Sequence, residues 1–112
     1  MKFRPRQRIR RHADFQDVYK HGSRISGRYY TLFTKPNGLD VGRLGIAATK
    51  RLGGAVVRNR AKRLIREVFR RNDIAPGLDI VVVPRHELLN TSLTTLEAEY
   101  RSSVTRRILK TR

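Results

Sequence analysis

The sequence has no cysteine and no tryptophan, and it has 9 Asp plus Glu against 26 Lys plus Arg in 112 residues. Without cysteine there is neither a disulfide framework nor a thiolate metal site, which fits a reducing cytoplasm. No apolar run approaches the ~20 residues of a membrane-spanning helix. The basic start, MKFRPRQRIRRH, leads into no apolar segment, so no secretory signal is expected. It is Arg-rich like an organellar transit peptide, but a structured-looking segment begins almost at once, at Ala13. Catalytic patterns are also missing. His12, His21 and His86 stand far apart, without the spacing of a metal site. The acids are scattered, whereas a two-metal nuclease needs them clustered. Gly53-Gly54 is not followed by the lysine and hydroxyl of a phosphate-binding loop. The chain reads as a binder with no metal site and no catalytic side chain of its own.

What is present is charge of one sign, a formal +17. Self-repulsion at that level opposes compaction, and a polyanionic partner relieves it. Nucleic acid is the first candidate and an anionic membrane the second. The length suits a single domain over residues 1–112, with one modest core. Residues 1–11 read as a basic arm, flexible without RNA and broken by Pro5. A helix is expected over HADFQDVYKHG, with Phe15, Val18 and Tyr19 on one stripe, Asp14 and Asp17 early, and Gly22 as its stop. His12 is a poor cap for it.

RYYTLFT reads as a strand, with Tyr29, Thr31 and Phe33 on one face and Tyr30 and Leu32 on the other. After the KPNGLD turn, VGRLGIAAT reads as a second strand, with Leu44, Ile46 and Ala48 toward the core. A long helix is expected to end near Asn72, before Pro76 and Gly77, and DIVVVP to be a buried strand. Leu89, Leu93, Leu96, Tyr100 and Val104 have helical spacing, with Asn90, Ser92, or Thr94 paired with Glu97 as possible caps. The order is that of an α+β domain with a small sheet.

The long helix is the most informative element. In RNRAKRLIREVFRRN, Ala61, Leu64, Ile65, Val68 and Phe69 form one apolar stripe. Asn59, Arg63, Arg66 and Arg70 lie opposite, and Arg58, Arg60, Lys62 and Arg71 flank it. A solvated charged face normally mixes signs at i,i+4, yet Glu67 is the only acid here, with Arg63 and Arg71 as its options. Arginine forks suit phosphate and stack on bases. A membrane-surface role would need the apolar stripe free for lipid, but the strands have little else to cover one face. The aromatics are core by default. If the first helix covers its side of the sheet only in part, Phe33 would floor, and Phe15 and Tyr19 wall, a groove for unpaired nucleotides. Composition alone fits a ribosomal or other structural RNA-binding protein equally well.

Two stretches carry a resemblance. ATKRLGGAVVRNRAKRLIREVFR, with Arg58-Asn59-Arg60 and then Lys62, Arg63 and Arg66, resembles the signature region of the bacterial ribonuclease P protein subunit. DFQDVYKHGSR resembles that family's first helix through Asp14, Phe15, Val18, Tyr19 and Gly22. The match runs from about residue 10 to residue 109. It implies an α-β-β-β-α-β-α two-layer sandwich of the ribosomal protein S5 domain 2-like class, with a left-handed βαβ crossover, rare elsewhere. It implies that the chain, one per RNA, binds a catalytic RNA that removes the 5′ leader of precursor tRNA and leaves a 5′-phosphate. Magnesium would serve the RNA-centred reaction. Lys50, Arg51, Arg58, Asn59, Arg60, Lys62, Arg63 and Arg66, with Arg70 on the same outer face, would meet the catalytic RNA. Phe15, Tyr19, Thr31 and Phe33 would form the leader cleft. Some members carry a valine or similar residue at the position of Thr31 and a serine at that of Ala47.

Overall fold

The computed structural model describes residues 7–72 and 75–111, with side chains through Arg106. The expectations for Pro5, for Asp73 and Ile74 of the DIAPG turn, and for the basic side chains after Arg106 lie outside the described residues. Three helices and four strands follow one another as α1 (His12–His21), β1 (Ser23–Ser26), β2 (Tyr30–Pro36), β3 (Arg43–Ile46), α2 (Ala55–Arg71), β4 (Leu78–Pro84) and α3 (Leu93–Thr111). Short 3₁₀ turns occupy Lys50–Leu52 and His86–Asn90. This is the expected α-β-β-β-α-β-α order. The sheet runs β1-β2-β4-β3, antiparallel except for the β3–β4 pair. That parallel pair needs a crossover, and α2 supplies it. No helix among the described residues is long and apolar enough to cross a membrane.

The two faces of β2 separate as its period of two requires. Tyr30 and Leu32 join Ile80 and Val82 of β4 and Leu44 of β3 under α2 and α3, and this is the main core. Ala61, Ile65, Val68 and Phe69 enter it from α2, and Leu96, Tyr100 and Val104 from α3. Leu64, the remaining member of the stripe, packs at its margin. On the other face Phe33 meets α1, where Val18 is fully buried with Val81 and Ile9. Tyr29 departs from the expected alternation. It precedes β2, packs with the main core and lies under Arg28, whose guanidinium carbon is 5.7 Å from the ring centre.

Three local differences have clear causes. Residues 7–11 are not a free arm. The Ile9 amide donates to the Leu44 carbonyl at 2.9 Å, Arg8 bridges β3 in parallel, and Ile9 is buried. The outer edge of β3 would otherwise expose unpaired backbone groups, and an apolar residue was at hand to seal it. SRIS, which carries no strong strand signal, is recruited as β1 by pairing with β2. The cap of α1 also differs: Arg11, with no capping side chain, holds that position, not His12. At α3 one of the expected caps is in place, the Ser92 hydroxyl accepting from the Thr95 amide at 3.1 Å. The chain turns from α1 into β1 so tightly that a Cβ on Gly22 would lie 2.4 Å from the Val18 carbonyl oxygen. Glycine is therefore required there by close approach, not by a left-handed backbone.

Candidate nucleic-acid interface

The α1 side of the sheet is built from Thr31, Phe33 and Lys35 of β2, opposite Val83, Val81 and Asp79 of β4. Arg43 and Gly45 of β3 continue that face. Its lower end is closed by polar bonds. Arg43 engages both Asp79 oxygens, at 2.7 and 2.6 Å, and Asn37 donates to the same carboxylate at 3.0 Å. Lys35 donates to Asp17 of α1 at 2.5 Å, and this bond holds the Asp17 carboxyl below its ordinary range. At the other end of the face, Val83 borders a concavity that it shares with Lys50, Arg51, Arg85 and His86.

The aromatic side chains meet on this face. Tyr19 stands edge-on to Phe33 with ring centres 5.0 Å apart, and Phe15 is 6.4 Å from Tyr19. All three are partly buried, and burial pushes the Tyr19 phenol upward. Thr31 lies deeper, at 8% exposure, and its hydroxyl accepts from an Arg85 guanidinium nitrogen at 3.2 Å. Thus Phe15, Tyr19 and Phe33 come together as expected. A strand lying here would meet Arg85 before it reached Thr31. Gly45 lets the Phe15 ring come close to β3, since a Cβ there would be 2.8 Å from two ring carbons.

The cations fall into groups. Lys50 and Arg51 are exposed on the 3₁₀ turn after β3. They share a concavity of about 490 Å³ with Val83, Pro84, Arg85 and His86 at the end of β4. The His86 ring nitrogen Nε2 lies 3.0 Å from the Arg51 carbonyl oxygen and ties the two walls. On α2, Asn59, Arg60, Arg63 and Arg66 are exposed, and Arg58 and Lys62 partly so. Lys62 and Arg66 face a second groove, with Arg8 and Arg10 across it. Arg70 stands apart, because Glu67 binds it at i,i+3 and holds its own carboxyl low in consequence. Neither of the i,i+4 options considered for Glu67 forms the close pair; Arg71 instead meets Glu97 of α3 at 3.5 Å. No group of three or more His, Asp or Glu able to hold a metal occurs among the described residues.

Sequence reasoning missed Arg8, Arg10, Arg85 and His86. Arg8-Ile9-Arg10 does carry a period-two signal, one apolar residue between two charges, which on its own is too short to indicate a strand. Arg85 directly follows the strand-ending Pro84, the kind of loop position where binding residues gather.

The protein is an α+β domain that carries an aromatic patch on one face of its sheet, bordered by cations from a helix and two loops. A model of the Ribonuclease P family matches residues 3–108. The ribonuclease P protein component of Thermotoga maritima is 43% identical over 88 residues, covering 77% of this chain and 75% of the relative. That of Clostridioides difficile is 39% identical over 88 residues, covering 76% and 77%. The solved RNase P protein from T. maritima superposes with a TM-score of 0.80 at 35% identity, covering 88% of this chain and 96% of that one. A Staphylococcus aureus RNase P protein mutant with defective mRNA degradation activity gives 0.81 at 33%, covering 91% and 88%. The chain belongs to the ribonuclease P protein family. Membership makes it a protein component of a tRNA-processing ribonuclease, with the ribonuclease P RNA as its partner.

Proposed function

We propose that this cytoplasmic chain acts as a single RNA-binding domain, one per catalytic RNA, that helps the RNA remove the 5′ leader from precursor tRNA. The RNA performs the cleavage, which leaves a 5′-phosphate on the mature tRNA. Magnesium supplies charge stabilisation to that RNA-centred step, and the protein's share is positioning. The observation that carries this reading is the aromatic cluster of Phe15, Tyr19 and Phe33 on one face of the sheet. Unpaired bases stack on aromatic rings irrespective of sequence, while cations follow the phosphates. The leader would run over this cluster toward Arg85, with Thr31 beneath the guanidinium.

The catalytic RNA would lie along Lys50, Arg51, Arg58, Asn59, Arg60, Lys62, Arg63 and Arg66. Arg70 would join after exchanging Glu67 for phosphate. Arginine's paired donors favour this use, because two parallel bonds to one phosphate fix the position of the strand as well as attracting it. The test is reconstitution. Added to its cognate RNA at low magnesium, the protein should accelerate precursor-tRNA cleavage and should favour leader-bearing over mature tRNA. An unchanged rate would refute the assignment.

A further inference from the structure

Thr31 offers little surface to a strand of RNA. It is 8% exposed, and on its own face Ser26 of β1 and Val83 of β4 stand on either side. Its hydroxyl is nevertheless engaged, accepting from an Arg85 guanidinium nitrogen at 3.2 Å. Arg85 is exposed, and its backbone is fixed on both sides. Its amide donates to the Tyr29 carbonyl at 2.9 Å, and its carbonyl accepts from the Leu88 amide at 3.0 Å. Only the long side chain is left to be placed, and Thr31 holds its far end against the sheet. A guanidinium carries five N–H donors in a rigid fork, and this bond uses one of them. A hydroxyl orients the fork without neutralising it, as a carboxylate would. Ordering a long side chain in advance lowers the entropy lost when it meets a ligand. Without the hydroxyl, the side chain is free to turn to solvent or toward Glu87, two residues on.

We propose that Thr31 is a positioning residue that touches no RNA and acts through Arg85. It holds the guanidinium ready for a leader phosphate. That phosphate would lie between Phe33, two residues along β2 on the same face, and the Lys50–Arg51 turn, which shares a concavity with Arg85. This rests on the leader-cleft reading and divides the labour within it. Thr31 supplies geometry and Arg85 supplies charge.

The first test contains no RNA. In the free full chain, nitrogen relaxation of the Arg85 Nε–H group should show an ordered guanidinium in the parent. Thr31→Ser keeps the hydroxyl and should keep that order. Thr31→Val replaces the hydroxyl with a methyl group and should release it. Equal mobility in all three proteins would overturn the proposal.

Binding of leader-bearing and mature tRNA to the reconstituted holoenzyme follows. Thr31→Val should weaken leader-bearing tRNA about two- to tenfold, the cost of ordering one long side chain on binding, and mature tRNA by less than about twofold. Thr31→Ser should bind as the parent does. Arg85→Ala should lower the salt slope by about one or less, whereas Thr31→Val removes no charge and should leave the slope unchanged. In the Arg85→Ala background, Thr31→Val should add less than about a twofold loss. Additive losses would mean that Thr31 meets RNA directly. Parental affinity in Thr31→Val would mean that Arg85 needs no holding. Either result overturns the proposal and leaves the leader cleft standing. If Arg85→Ala and Phe33→Ala both spare leader binding, the cleft itself fails and the proposal falls with it.

Discussion

Replacing Gly45 with alanine tests the link between the fold and the leader cleft. The added Cβ would sit 2.8 Å from two carbons of the Phe15 ring and 3.1 Å from Cβ of Ile9. Ordinary contact begins near 3.4 Å, so the ring must withdraw by roughly half an ångström or the strand must shift. Neither movement is free. The ring is backed by Tyr19, and Ile9 is fixed by its amide bond to Leu44. Overpacking of this kind costs about 1–3 kcal/mol, while alanine recovers about 0.5–1 kcal/mol of backbone entropy in a strand. The expected net loss is therefore about 0–2.5 kcal/mol by urea unfolding, with a parallel loss in affinity for leader-bearing tRNA. A double-mutant cycle identifies the cause. In a Phe15→Leu background the clash is relieved, and the Gly45→Ala penalty should shrink by at least about 0.5 kcal/mol. If Gly45→Ala stabilises the protein and leaves leader affinity intact, Phe15 is not seated on Gly45 and the cleft geometry is wrong.

Phe33→Ala should weaken binding of leader-bearing tRNA by roughly 1–3 kcal/mol, the range for a lost base stack, and equal weakening for mature tRNA would refute a leader-specific role. Arg66→Ala should weaken catalytic-RNA binding and lower the salt slope by about one or less, as loss of one phosphate contact requires; an unchanged slope would remove Arg66 from that set. Glu99 supplies a pH test. One of its oxygens is buried beside Gly27 without a hydrogen-bond partner, and burial raises its carboxyl above the ordinary range. A raised acid contributes stability when protonated and loses it as pH rises through the folded value. Glu99→Gln should thus be more stable than the parent at pH 7, with the difference closing as pH falls below the ordinary carboxylate range. A gap that persists in acid would refute burial as the cause.

The elements legible in the sequence were those whose signal repeats. α2 showed five apolar residues on one stripe and cations elsewhere, and its core face packs accordingly. DIVVVP, a short apolar run with β-branched residues, indicated β4 unaided. By contrast, β1 exists because β2 offers it an edge, and residues 7–11 are ordered because β3 offers another. Neither effect is local, so neither is written in a short window. The aromatic groove was half legible. Spacing placed Phe15 beside Tyr19, but the approach of Tyr19 to Phe33 depends on how α1 crosses the sheet. Tyr29 left the expected alternation because β2 begins only at Tyr30, and Leu88, fully buried in a 3₁₀ turn, had no periodic neighbour to reveal it.

In a chain of +17, the close ion pairs of the acids are unevenly placed. Asp17 and Asp79 meet Lys35 and Arg43 at the closed end of the sheet. Glu67 and Glu97 meet Arg70 and Arg71 at the end of α2. The first of these pairs joins α1 to the sheet, the second joins β3 to β4, the third lies within α2 and the fourth joins α2 to α3. They are not spread evenly among the cations. The first half of α2, the Lys50–Arg51 turn and Arg85 take part in none of these four pairs and form a mainly basic region, with Glu87 two residues from Arg85. Exposed pairs contribute little each, so moving an acid into that region would cost the fold little. It would, however, weaken attraction of RNA over a Debye length, about 8 Å at physiological salt. The distribution is thus better explained by a bound polyanion than by stability, since stability alone would favour acids dispersed among the arginines of α2.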